Sequence, residues 1–569
     1  MKLSENSKLV LSRYLLKDKE GKIIEKPEQL LKRIAINIAK EDSIYGRSKK
    51  EVAETEKEFF NLMSSQDFLP NLPAIANAGR KIQQLAACFV LPVPDDMAGI
   101  FQSVKDMALI QKTGGGTGFS FSRLRPEGSY VSETGGIASG PVSFMKVFDA
   151  ATGAIKEGGI RRGANMGILR VDHPDIEKFI NCKEKNQIPN FNISVALTDK
   201  FMKAVIRDDD FDLVFNNKAY KTLKAKELFK AIAKRAWLNG DPGIIFIDEI
   251  NKYNPTPKLG EIEATNPCGE QPLLPYEACV LGSINLSNFA SQRSRKIDFK
   301  RLEKTIKTAV HFLDNTTDAS VYPLTQIEAI VKGNRKIGLG LMGFADALVK
   351  LGIAYDSPQA EKTAEKIMKF VNNSALKASQ EIAIKRGSFP NKINSIYKKD
   401  KKPLRNAAKT TIAPTGTIAI IANCSEGIEP LFNFVFNRNS TYGTMLEINP
   451  LFIETAKKLK LTQNDVEKIG REGSLQRMPN IPENIKKIFK TAHDISPEWH
   501  IRIQSAFQKY TDNAISKTVN LAQNATPEDI ENVFLLAYKH KLKGLTIYRY
   551  NSRKEQVLEF CKRCDIKLD

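Results

Sequence analysis

The sequence predicts an α/β protein with a helical N-terminal region. Between about residues 68 and 290, short apolar runs alternate with glycine-rich turns, as at 88–91, 119–121 and 243–247. Segments with apolar residues at helical spacing lie between these runs, for example at 97–112 and 225–238. Such an alternation of strand-like and helix-like segments is typical of folds in which helices cover a sheet.

The elements outside this central part are predicted from the same two periodicities. Residues 1 to about 70 are expected to be helical, because Pro27 opens an amphipathic run and a second helical pattern covers 51–63. A stretch rich in Pro, Asn and Gly at 68–80 ends that region. The sequence contains no internal repeat and no low-complexity linker. Further along we expect helices at 299–317 and 357–386, a solvated basic loop at 396–405 and an apolar strand at 411–413.

The composition narrows the class of protein. A chain of 569 residues with 42% hydrophobic and 27% charged residues is neither a disordered tail, a collagen-like fibre nor a disulfide-dense secreted scaffold. No apolar run approaches the roughly 20 residues of a membrane span, and the first residues lack an apolar signal core. We therefore expect a cytoplasmic protein with reduced cysteines. The net charge of +21 leaves open either nucleic-acid binding or a lysine-rich composition with sites for small anions such as nucleotides.

Three glycine-rich segments are candidate ligand contacts. The segment 112–118 lacks the third glycine of a dinucleotide fingerprint and the Lys-Ser/Thr of a P-loop, so it is either a tight turn or a close approach to a ligand. Arg161 and Arg162 lie in a second glycine-rich segment, where they suit phosphate or base stacking unless the loop is merely solvated. The segment 413–418 follows a predicted strand and is expected to begin a helix. Backbone N–H groups and the hydroxyls of Thr415 and Thr417 would then face an anion.

The cysteines carry the clearest chemistry. Cys268 lies in a loop bracketed by Pro and Gly, with Glu270 close behind it. A neighbouring carboxylate raises the pKa of a thiol, so this thiol suits hydrogen-atom chemistry better than nucleophilic attack. A buried structural role is the alternative for any one of the seven cysteines, which are Cys88, Cys182, Cys268, Cys279, Cys424, Cys561 and Cys564.

Cys561 and Cys564 form a CxxC spacing near the C-terminus. The pair is either half of a zinc site, which needs two further ligands, or a redox dithiol, and we favour a solvent-accessible dithiol. The five histidines show no HExxH spacing, so the sequence predicts neither a zinc hydrolase nor any metal ligand.

In combination, eight ordered motifs resemble the catalytic chain of ribonucleotide reductase, most closely the adenosylcobalamin-dependent class, class II. The resemblance extends from about residue 4 to residue 560. Its motifs are LPNLPAIANAG (69–79), QLAACFVLPV (84–93), KTGGGTGFSFSRLRP (112–126), GGIRRGANMGIL (158–169), NPCGEQPLLPYEAC (266–279), APTGTI (413–418), CSEGIEPLF (424–432) and GLTIYRYNSR (544–553).

The resemblance implies an α/β barrel of two parallel half-sheets around a central finger loop, which reduces ribonucleotides to 2′-deoxyribonucleotides. Cys268 matches the cysteine that becomes a thiyl radical on the finger loop and takes the 3′ hydrogen atom of the ribose. Glu270 matches the carboxylate that takes the 3′-OH proton, and Asn266 matches the amide that holds the ribose hydroxyls. Cys88 and Cys279 match the redox pair, which ends as a disulfide while the 2′-OH leaves as water.

Further positions match binding residues of the family. The loop 158–167 matches the segment that relays effector identity to the active site, and the C-terminal thiols resemble tail thiols that re-reduce the active-site pair. By resemblance, the substrate contacts are Ala87, Gly116, Pro414, Thr415, Gly416, Thr417 and Ile418, the effector contacts are Asp95, Arg125, Arg161 and Arg162, and the redox tail carries Cys561 and Cys564.

The stretch 546–550 bears on the source of the radical. Reductases that import a radical from a second subunit carry two adjacent tyrosines here, whereas this chain reads Tyr548-Arg549-Tyr550. Arginine cannot relay a tyrosyl radical, which favours adenosylcobalamin as the cofactor, and a class I large subunit with a separate radical-generating subunit is the alternative. Diphosphate substrates are favoured and triphosphates stay open.

The resemblance also implies partners and an organisation. We expect a ribonucleotide substrate, a deoxynucleotide effector, a thioredoxin-like or other dithiol reductant and a second copy of the chain, with neither nucleic acid nor membrane. The expected domains are a helical N-terminal region at 1–67, a catalytic α/β barrel at 68–553 and a short tail with the redox CxxC at 554–569.

Overall fold

The computed structural model describes residues 3–132, 135–157, 161–184, 187–440, 443–552 and 556–561. Within these residues no helix combines the length and the apolar character that crossing a membrane requires. The α-helices are α1 Glu5–Ser12, α2 Pro27–Ala39, α3 Lys49–Ser64, α4 Leu72–Asn77, α5 Met97–Lys112, α6 Gly140–Ala154, α7 Ile176–Asn181, α8 Asp199–Arg207, α9 Ala225–Asn239, α10 Ile247–Lys252, α11 Phe299–Ala319, α12 Thr325–Asn334, α13 Phe344–Leu351, α14 Pro358–Arg386, α15 Gly416–Ala422, α16 Pro450–Lys458, α17 Gln463–Glu472, α18 Glu483–Ile488, α19 Pro497–Gln508 and α20 Pro527–Lys539.

The strands are mostly short. They are β1 Phe68–Pro70, β2 Cys88–Leu91, β3 Gly116–Ser120, β4 Tyr130–Val131, β5 Gly136–Ile137, β6 Lys156–Glu157, β7 Arg161–Arg162, β8 Asn165–Arg170, β9 Phe191–Leu197, β10 Asp210–Phe215, β11 Lys218–Lys224, β12 Gly243–Phe246, β13 Ala264–Thr265, β14 Pro272–Leu273, β15 Glu277–Asn285, β16 Ala290–Ser291, β17 Lys296–Ile297, β18 Ile337–Met342, β19 Val435–Ser440, β20 Gly443–Ile448, β21 Thr518–Leu521, β22 Gly544–Arg549 and β23 Leu558–Phe560.

The N-terminal region is helical, as its patterns predict. Pro27 is the first residue of α2, where its missing N–H costs no hydrogen bond. Ser48 and Glu51 form a reciprocal capping box at the start of α3. A buried stripe of α2, including Leu30 and Ile34, joins the main apolar core.

The central sheet consists of two parallel halves. In the first half β2, β3, β8, β9 and β12 run parallel, each beside the next. In the second half β15 is parallel to β18, and β21 is parallel to β22. The halves meet antiparallel at β2–β15 and at β12–β22. The expected barrel of two parallel half-sheets is confirmed.

In the second half-sheet, the segment 411–413, which the sequence predicted as a strand, is joined to its neighbours only by isolated β-bridges. Leu339 pairs with Thr410, and Ile412 pairs with Ile515, both in parallel orientation. The segment therefore runs between β18 and β21 without forming a regular strand. At Gly340, a Cβ atom would lie 2.7 Å from the carbonyl oxygen of Thr411, so the absence of a side chain lets this segment approach β18.

The prediction of a solvated basic loop at 396–405 is wrong at its end. Arg405 is buried, and its guanidinium contacts the carboxylate of Asp314 in α11 at 3.2 Å. The run of basic residues gives no sign that Arg405 is buried. Its burial depends on the partner Asp314, which is 91 positions away in the sequence.

Candidate active site

A six-residue loop at 266–271 lies inside the barrel between β13 and β14, which pair antiparallel. The Asn266 N–H donates to the carbonyl of Gln271 at 3.2 Å, and the Gln271 N–H donates to the Asn266 side-chain oxygen at 3.0 Å. Gly118 of β3 makes room for this loop, because a Cβ atom there would lie 1.7 Å from the Thr265 carbonyl oxygen. The glycine-rich segment 112–118 therefore includes a close approach between two stretches of backbone.

Both half-sheets hold the loop in place. From the first half, the Asn192 amide donates to the Pro267 carbonyl at 2.9 Å. From the second half, the Thr411 hydroxyl donates to the Glu270 carbonyl at 2.9 Å, and the Ala514 N–H donates to the same oxygen at 3.0 Å. A loop anchored from two sides presents its side chains in fixed positions.

Cys268 stands at the exposed tip of this loop and lines a cavity of about 780 Å³. Cavities of this volume take ligands of nucleotide size. The cavity is also lined by Pro414, Phe432, Glu429 and Tyr548. The exposed thiol is thus directed at a space that can hold a substrate.

Cys88 and Cys279 face each other across the junction of the half-sheets. They are partners in the antiparallel register of β2 and β15, both are buried, and both are free thiols. Residues directly opposite each other in an antiparallel pair place their side chains on the same face with close Cβ atoms, which suits disulfide formation. Burial raises the pKa of both thiols, and Glu270 raises that of Cys88 further.

Glu270 and Asn266 lie beside Cys88. The Asn266 amide donates to Cys88 Sγ at 3.0 Å, and the Cys88 thiol lies 3.8 Å from Glu270 Oε1. Burial raises the pKa of Glu270 to about 7, while hydrogen bonds from Asn266 and Cys88 oppose this rise. Glu270 Oε2 is buried and has no hydrogen-bond partner among the described residues. A buried, unsatisfied carboxylate oxygen beside two thiols is ready to accept a proton or hydrogen bond from a ligand.

Ala87 and Gly116 join this group through their backbones. The Gly116 N–H donates to the Ala87 carbonyl at 2.9 Å, and the Ala87 N–H donates to the Cys279 carbonyl at 3.2 Å. A Cβ atom at Gly116 would lie 3.0 Å from Pro267. The structure therefore brings both positions to the base of the finger loop.

The segment 413–418 opens α15, as predicted. Thr415 is the N-cap with a left-handed backbone, and no side chain caps the helix. The Thr415 hydroxyl oxygen accepts the Gly427 N–H at 2.8 Å, and its expected contact with an anion stays a prediction. Gly416 and Thr417 are half-buried, Ile418 is buried, and Pro414 lines the cavity.

Comparison with known proteins decides the family. The model for "Ribonucleotide reductase, barrel domain" matches residues 86–403 and 397–548, and the model for "Ribonucleotide reductase, all-alpha domain" matches residues 1–83. The chain belongs to the ribonucleotide reductase family.

Two relatives and one solved structure illustrate the relationship. A vitamin B12-dependent ribonucleoside-diphosphate reductase of Thermoplasma acidophilum is 46% identical over 98% of this chain and 80% of its own length. The enzyme of the same name from Mycobacterium tuberculosis is 43% identical over the same shares. The class Id ribonucleotide reductase alpha subunit of Actinobacillus ureae aligns with a TM-score of 0.79 at 24% identity, covering 96% of this chain and 97% of that one, and so supports the fold.

Of the effector positions expected from the ribonucleotide reductase family, two meet in the structure. Arg125 Nε donates to Asp95 Oδ2 at 2.8 Å, and the Arg125 N–H donates to Asp95 Oδ1 at 2.9 Å. Both side chains are about one-third exposed. Arg161 and Arg162 form β7, which pairs with β6.

The expectation of a solvent-accessible C-terminal dithiol is wrong for Cys561. This residue is buried, disulfide-bonded and part of a second apolar cluster that includes Phe434 and Phe452. It directly follows β23, which pairs with β19. Cys564 lies outside the described residues.

Asn192, Glu277 and Lys336 contact the candidate site but were not among its predicted residues, and Gly118 was predicted only as part of the segment 112–118. Gly118 and Asn192 shape and anchor the finger loop, as described above. Glu277 and Lys336 form a buried ion pair beside Cys279, with 2.7 Å between Lys336 Nζ and Glu277 Oε2. A signal was present for Glu277, because it stands two positions before Cys279 on a strand and therefore shares its face.

Proposed function

We propose that the chain is an adenosylcobalamin-dependent ribonucleoside-diphosphate reductase that works by thiyl-radical chemistry. The observation that carries this proposal is the grouping of Cys88, Cys279, Glu270 and Asn266 at the base of the loop whose Cys268 faces the cavity. The relatives at 46% and 43% identity, which carry the name of this activity, support it.

The side chains of the site suit the first half of the reaction. The Cys268 sulfur, as a thiyl radical, takes the 3′ hydrogen atom of the ribose. The unpartnered Glu270 oxygen accepts the 3′-OH proton, for which its raised pKa of about 7 is well placed. Asn266 orients the ribose hydroxyls with its amide, which already contacts Cys88 in the absence of a ligand.

The opposed thiols of Cys88 and Cys279 suit the second half of the reaction. Cys88 and Cys279 give up two electrons and two protons and become a disulfide. The ribose loses its 2′-OH as water and gains a hydrogen in its place, so that one ribonucleotide and one dithiol yield one deoxyribonucleotide, one water and one disulfide. The register that sets the two cysteines opposite each other allows this bond to form with little backbone movement.

Part of the wall beside Cys268 suits contact with the cofactor. Phe432 and Phe436 line the same cavity as Cys268, and their rings provide apolar surface for a large ring system. The polar residues Asn6 and Glu447 also line it, but Asn6 donates to the Leu446 carbonyl at 2.8 Å and Glu447 is paired with Arg438, so neither is assigned to the cofactor. When bound beside Cys268, adenosylcobalamin supplies the radical chemistry that activates the Cys268 sulfur.

The surroundings of Arg549 support direct radical generation over import from a second subunit. Its guanidinium stacks on Trp237 at 4.3 Å and donates to the Trp237 carbonyl at 3.1 Å. Tyr550 stacks on Phe560 with 4.9 Å between ring centroids, whereas Tyr548 lines the cavity. The two tyrosines on either side of Arg549 therefore have different neighbours and do not form an adjacent relay.

We further propose a deoxynucleotide effector site at a homodimer interface near α5. Asp95 lies just before this helix, and Arg125, which follows β3, pairs with it. On α5, Met97 and Phe101 are 62% and 50% exposed and stand one turn apart on one face. An exposed apolar face beside a charged pair suits a second copy of the chain with a nucleotide at its edge. Arg161 and Arg162 complete the proposed effector contacts.

The proposed role of Cys561 and Cys564 in re-reducing the active-site disulfide carries a structural requirement. Because Cys561 is buried beside β23, this strand has to leave β19 before the C-terminal thiols can reach the active site. An external dithiol that enters the cavity directly is the competing route.

A reductase assay on the purified chain alone tests the function. We expect deoxynucleotide from a ribonucleoside diphosphate when adenosylcobalamin, a dithiol and a deoxynucleotide effector are present, and none when adenosylcobalamin is left out. A matched Cys268→Ser variant serves as the blank. Full activity without cobalamin, or activity only after a second subunit is added, would contradict the proposal. A parallel reaction with the triphosphate determines which substrate is preferred.

A further inference from the structure

Cys279 lies between two neighbours in the sheet. On one side stands Cys88, its partner in the antiparallel register. On the other side stands Lys336, which directly precedes β18, where Ile337 pairs with Val280. The Cys279 thiol lies 3.6 Å from the Lys336 carbonyl oxygen and 3.5 Å from that of Val280. Lys336 is thus the neighbour of the redox sulfur on the side away from Cys88.

The Lys336 side chain is paired with a carboxylate. Its Nζ lies 2.7 Å from Glu277 Oε2, and the two side chains are 1% and 0% exposed. Glu277 also accepts the Asn334 amide at 2.7 Å and the Leu274 N–H at 2.9 Å. Because Glu277 and Cys279 are two positions apart on β15, their side chains point to the same face. Two opposite, fully buried charges therefore stand beside one of the two thiols.

This pair is not explained by stability or by ligand binding. A buried ion pair is often no more stabilising than apolar residues of the same volume. Neither residue is among the described residues that line the cavity beside Cys268. Both charges do act on the sulfur, since Glu277 raises the pKa of Cys279 and Lys336 lowers it. Glu270, the third charge near the pair, contacts Cys88 and raises the pKa of both thiols.

We propose that Glu277 and Lys336 are positioning residues that act through Cys279. Their opposite charges set how readily its sulfur carries negative charge when an external dithiol opens the Cys88–Cys279 disulfide. The inference rests on the proposed function only for the existence of that disulfide.

The step is an ordinary thiol–disulfide exchange. Cys88 is the sulfur beside Asn266 and Glu270 of the finger loop, whose Cys268 lines the cavity, so we take it as the one attacked. One sulfur of the external dithiol, as thiolate, bonds to Cys88 Sγ, the Cys88–Cys279 bond breaks, and its electron pair goes to Cys279 Sγ. The second sulfur of the reductant then displaces Cys88 from the mixed disulfide. The external dithiol ends as a disulfide, and its two protons end on Cys88 and Cys279. Because exchange is faster when the leaving sulfur bears negative charge more easily, charges beside Cys279 control the rate.

Removal of the Glu277 charge and removal of the Lys336 charge should therefore change the rate of disulfide reduction in opposite directions. In Glu277→Gln the lysine is left alone beside the leaving sulfur, and we expect reduction to become about tenfold faster. In Lys336→Met the carboxylate is left alone, and we expect reduction to become about tenfold slower. The double variant, which removes both charges, should return close to the rate of the unmodified chain, and Lys336→Arg should retain it.

The experiment measures this rate directly. The full chain is oxidised with diamide, mixed with dithiothreitol, quenched in acid at set times, unfolded and alkylated, and the peptides holding Cys88 and Cys279 are quantified by mass spectrometry. Glu277→Gln, Lys336→Met and the double variant are each compared with the unmodified chain at the same pH. Lys490→Met, which removes a half-buried lysine paired with Asp356, is the control for a lost ion pair far from the thiols.

The outcomes separate this inference from the proposed function. Opposite changes in the two single variants, cancelled in the double variant, support it. Faster reduction in both single variants would mean that they merely loosen the sheet, and equal rates would mean that the charges do not act, so either result overturns it. If Lys336→Met does not fold, Glu277→Gln decides alone, because an unchanged or slower rate overturns the inference. If the unmodified chain forms no Cys88–Cys279 disulfide at all, the redox pair of the proposed function fails, and the inference fails with it.

Discussion

Two carboxylates of this protein are equally buried and behave in opposite ways. Glu270 in the finger loop is 2% exposed and Asp314 in α11 is 0% exposed. Burial alone raises the pKa of either group. The pKa of Glu270 rises to about 7, whereas that of Asp314 falls to about 2 because Arg335, Arg405 and Arg386 surround it.

The difference lies in what each carboxylate touches. Asp314 Oδ1 accepts from Arg335 at 2.8 Å, and Asp314 Oδ2 accepts from Arg386 at 3.1 Å. Arg386 also contacts Asp42, so this cluster ties the N-terminal helical region to the barrel. Glu270 Oε2, in contrast, has no partner in the described part of the chain. A buried acid whose charge is balanced serves the architecture, and one left unbalanced is available for chemistry.

The largest expected effect lies at the tip of the finger loop. Cys268→Ser removes the sulfur that we propose carries the thiyl radical, so we expect turnover to fall to background. Because the exposed side chain has little part in packing, nucleotide binding should stay near normal. Turnover is measured as deoxynucleotide formed, and binding by equilibrium dialysis of the ribonucleotide. Multiple turnovers in Cys268→Ser would refute its assignment.

The second largest effect is expected for Glu270→Gln, which should lower activity and raise stability. Glu270→Gln removes the proposed base, and we expect kcat to fall on the order of a hundredfold or more. The folded state holds a proton on Glu270 up to about pH 7, while the unfolded chain loses it near pH 4.5, so the free energy of unfolding falls as pH rises through this window. The variant lacks this penalty and should be more stable at pH 8 by on the order of 2 kcal/mol.

Urea unfolding of Glu270→Gln and of the unmodified chain, at pH 5 and pH 8, checks the stability effect. The two chains should differ little at pH 5 and clearly at pH 8. A variant that is less stable at pH 8 would mean that Glu270 is held by interactions the structure does not contain. In the unmodified chain, kcat should rise as pH increases through about 7, because the proposed base has to be ionised.

Local patterns allowed much of the fold to be predicted, and the limits of the prediction have physical causes. Helices α5 and α9 could be predicted from periodicity alone, since their buried residues recur at helical spacing within one short segment. The segment 411–413 was wrongly taken as a strand, because its pairing with β18 and β21 depends on residues far along the chain. The site residues came from motif resemblance, whereas their mutual contacts, such as Glu270 with Cys88 across 182 positions, exist only in the fold.

The third effect is a loss of stability at Asp314, the carboxylate whose charge is balanced by arginines. Asp314→Asn leaves three buried arginines short of one anion, and we expect the free energy of unfolding to fall by about 3 to 5 kcal/mol. Turnover of the folded fraction should change little, because Asp314 does not line the cavity. Asp210→Asn, which breaks the exposed pair with Lys224, is the control and should cost less than about 1 kcal/mol. A similar loss in both variants would show that the arginine cluster adds no special stability.

The smallest effect is the pH dependence that this cluster implies, and its sign is opposite to that of Glu270. The pKa of Asp314 is about 2 in the folded state against 3.8 for an ordinary aspartate, so its ionisation contributes about 2 kcal/mol of stability at neutral pH. That contribution is complete above about pH 5 and is lost as pH falls toward 2, with roughly half gone by pH 3. The gap in unfolding free energy between the unmodified chain and Asp314→Asn should therefore narrow by about 1 kcal/mol between pH 5 and pH 3. Urea unfolding of both chains at each pH measures the gap, and a constant gap would mean that Asp314 owes its effect to hydrogen-bond geometry and not to its charge.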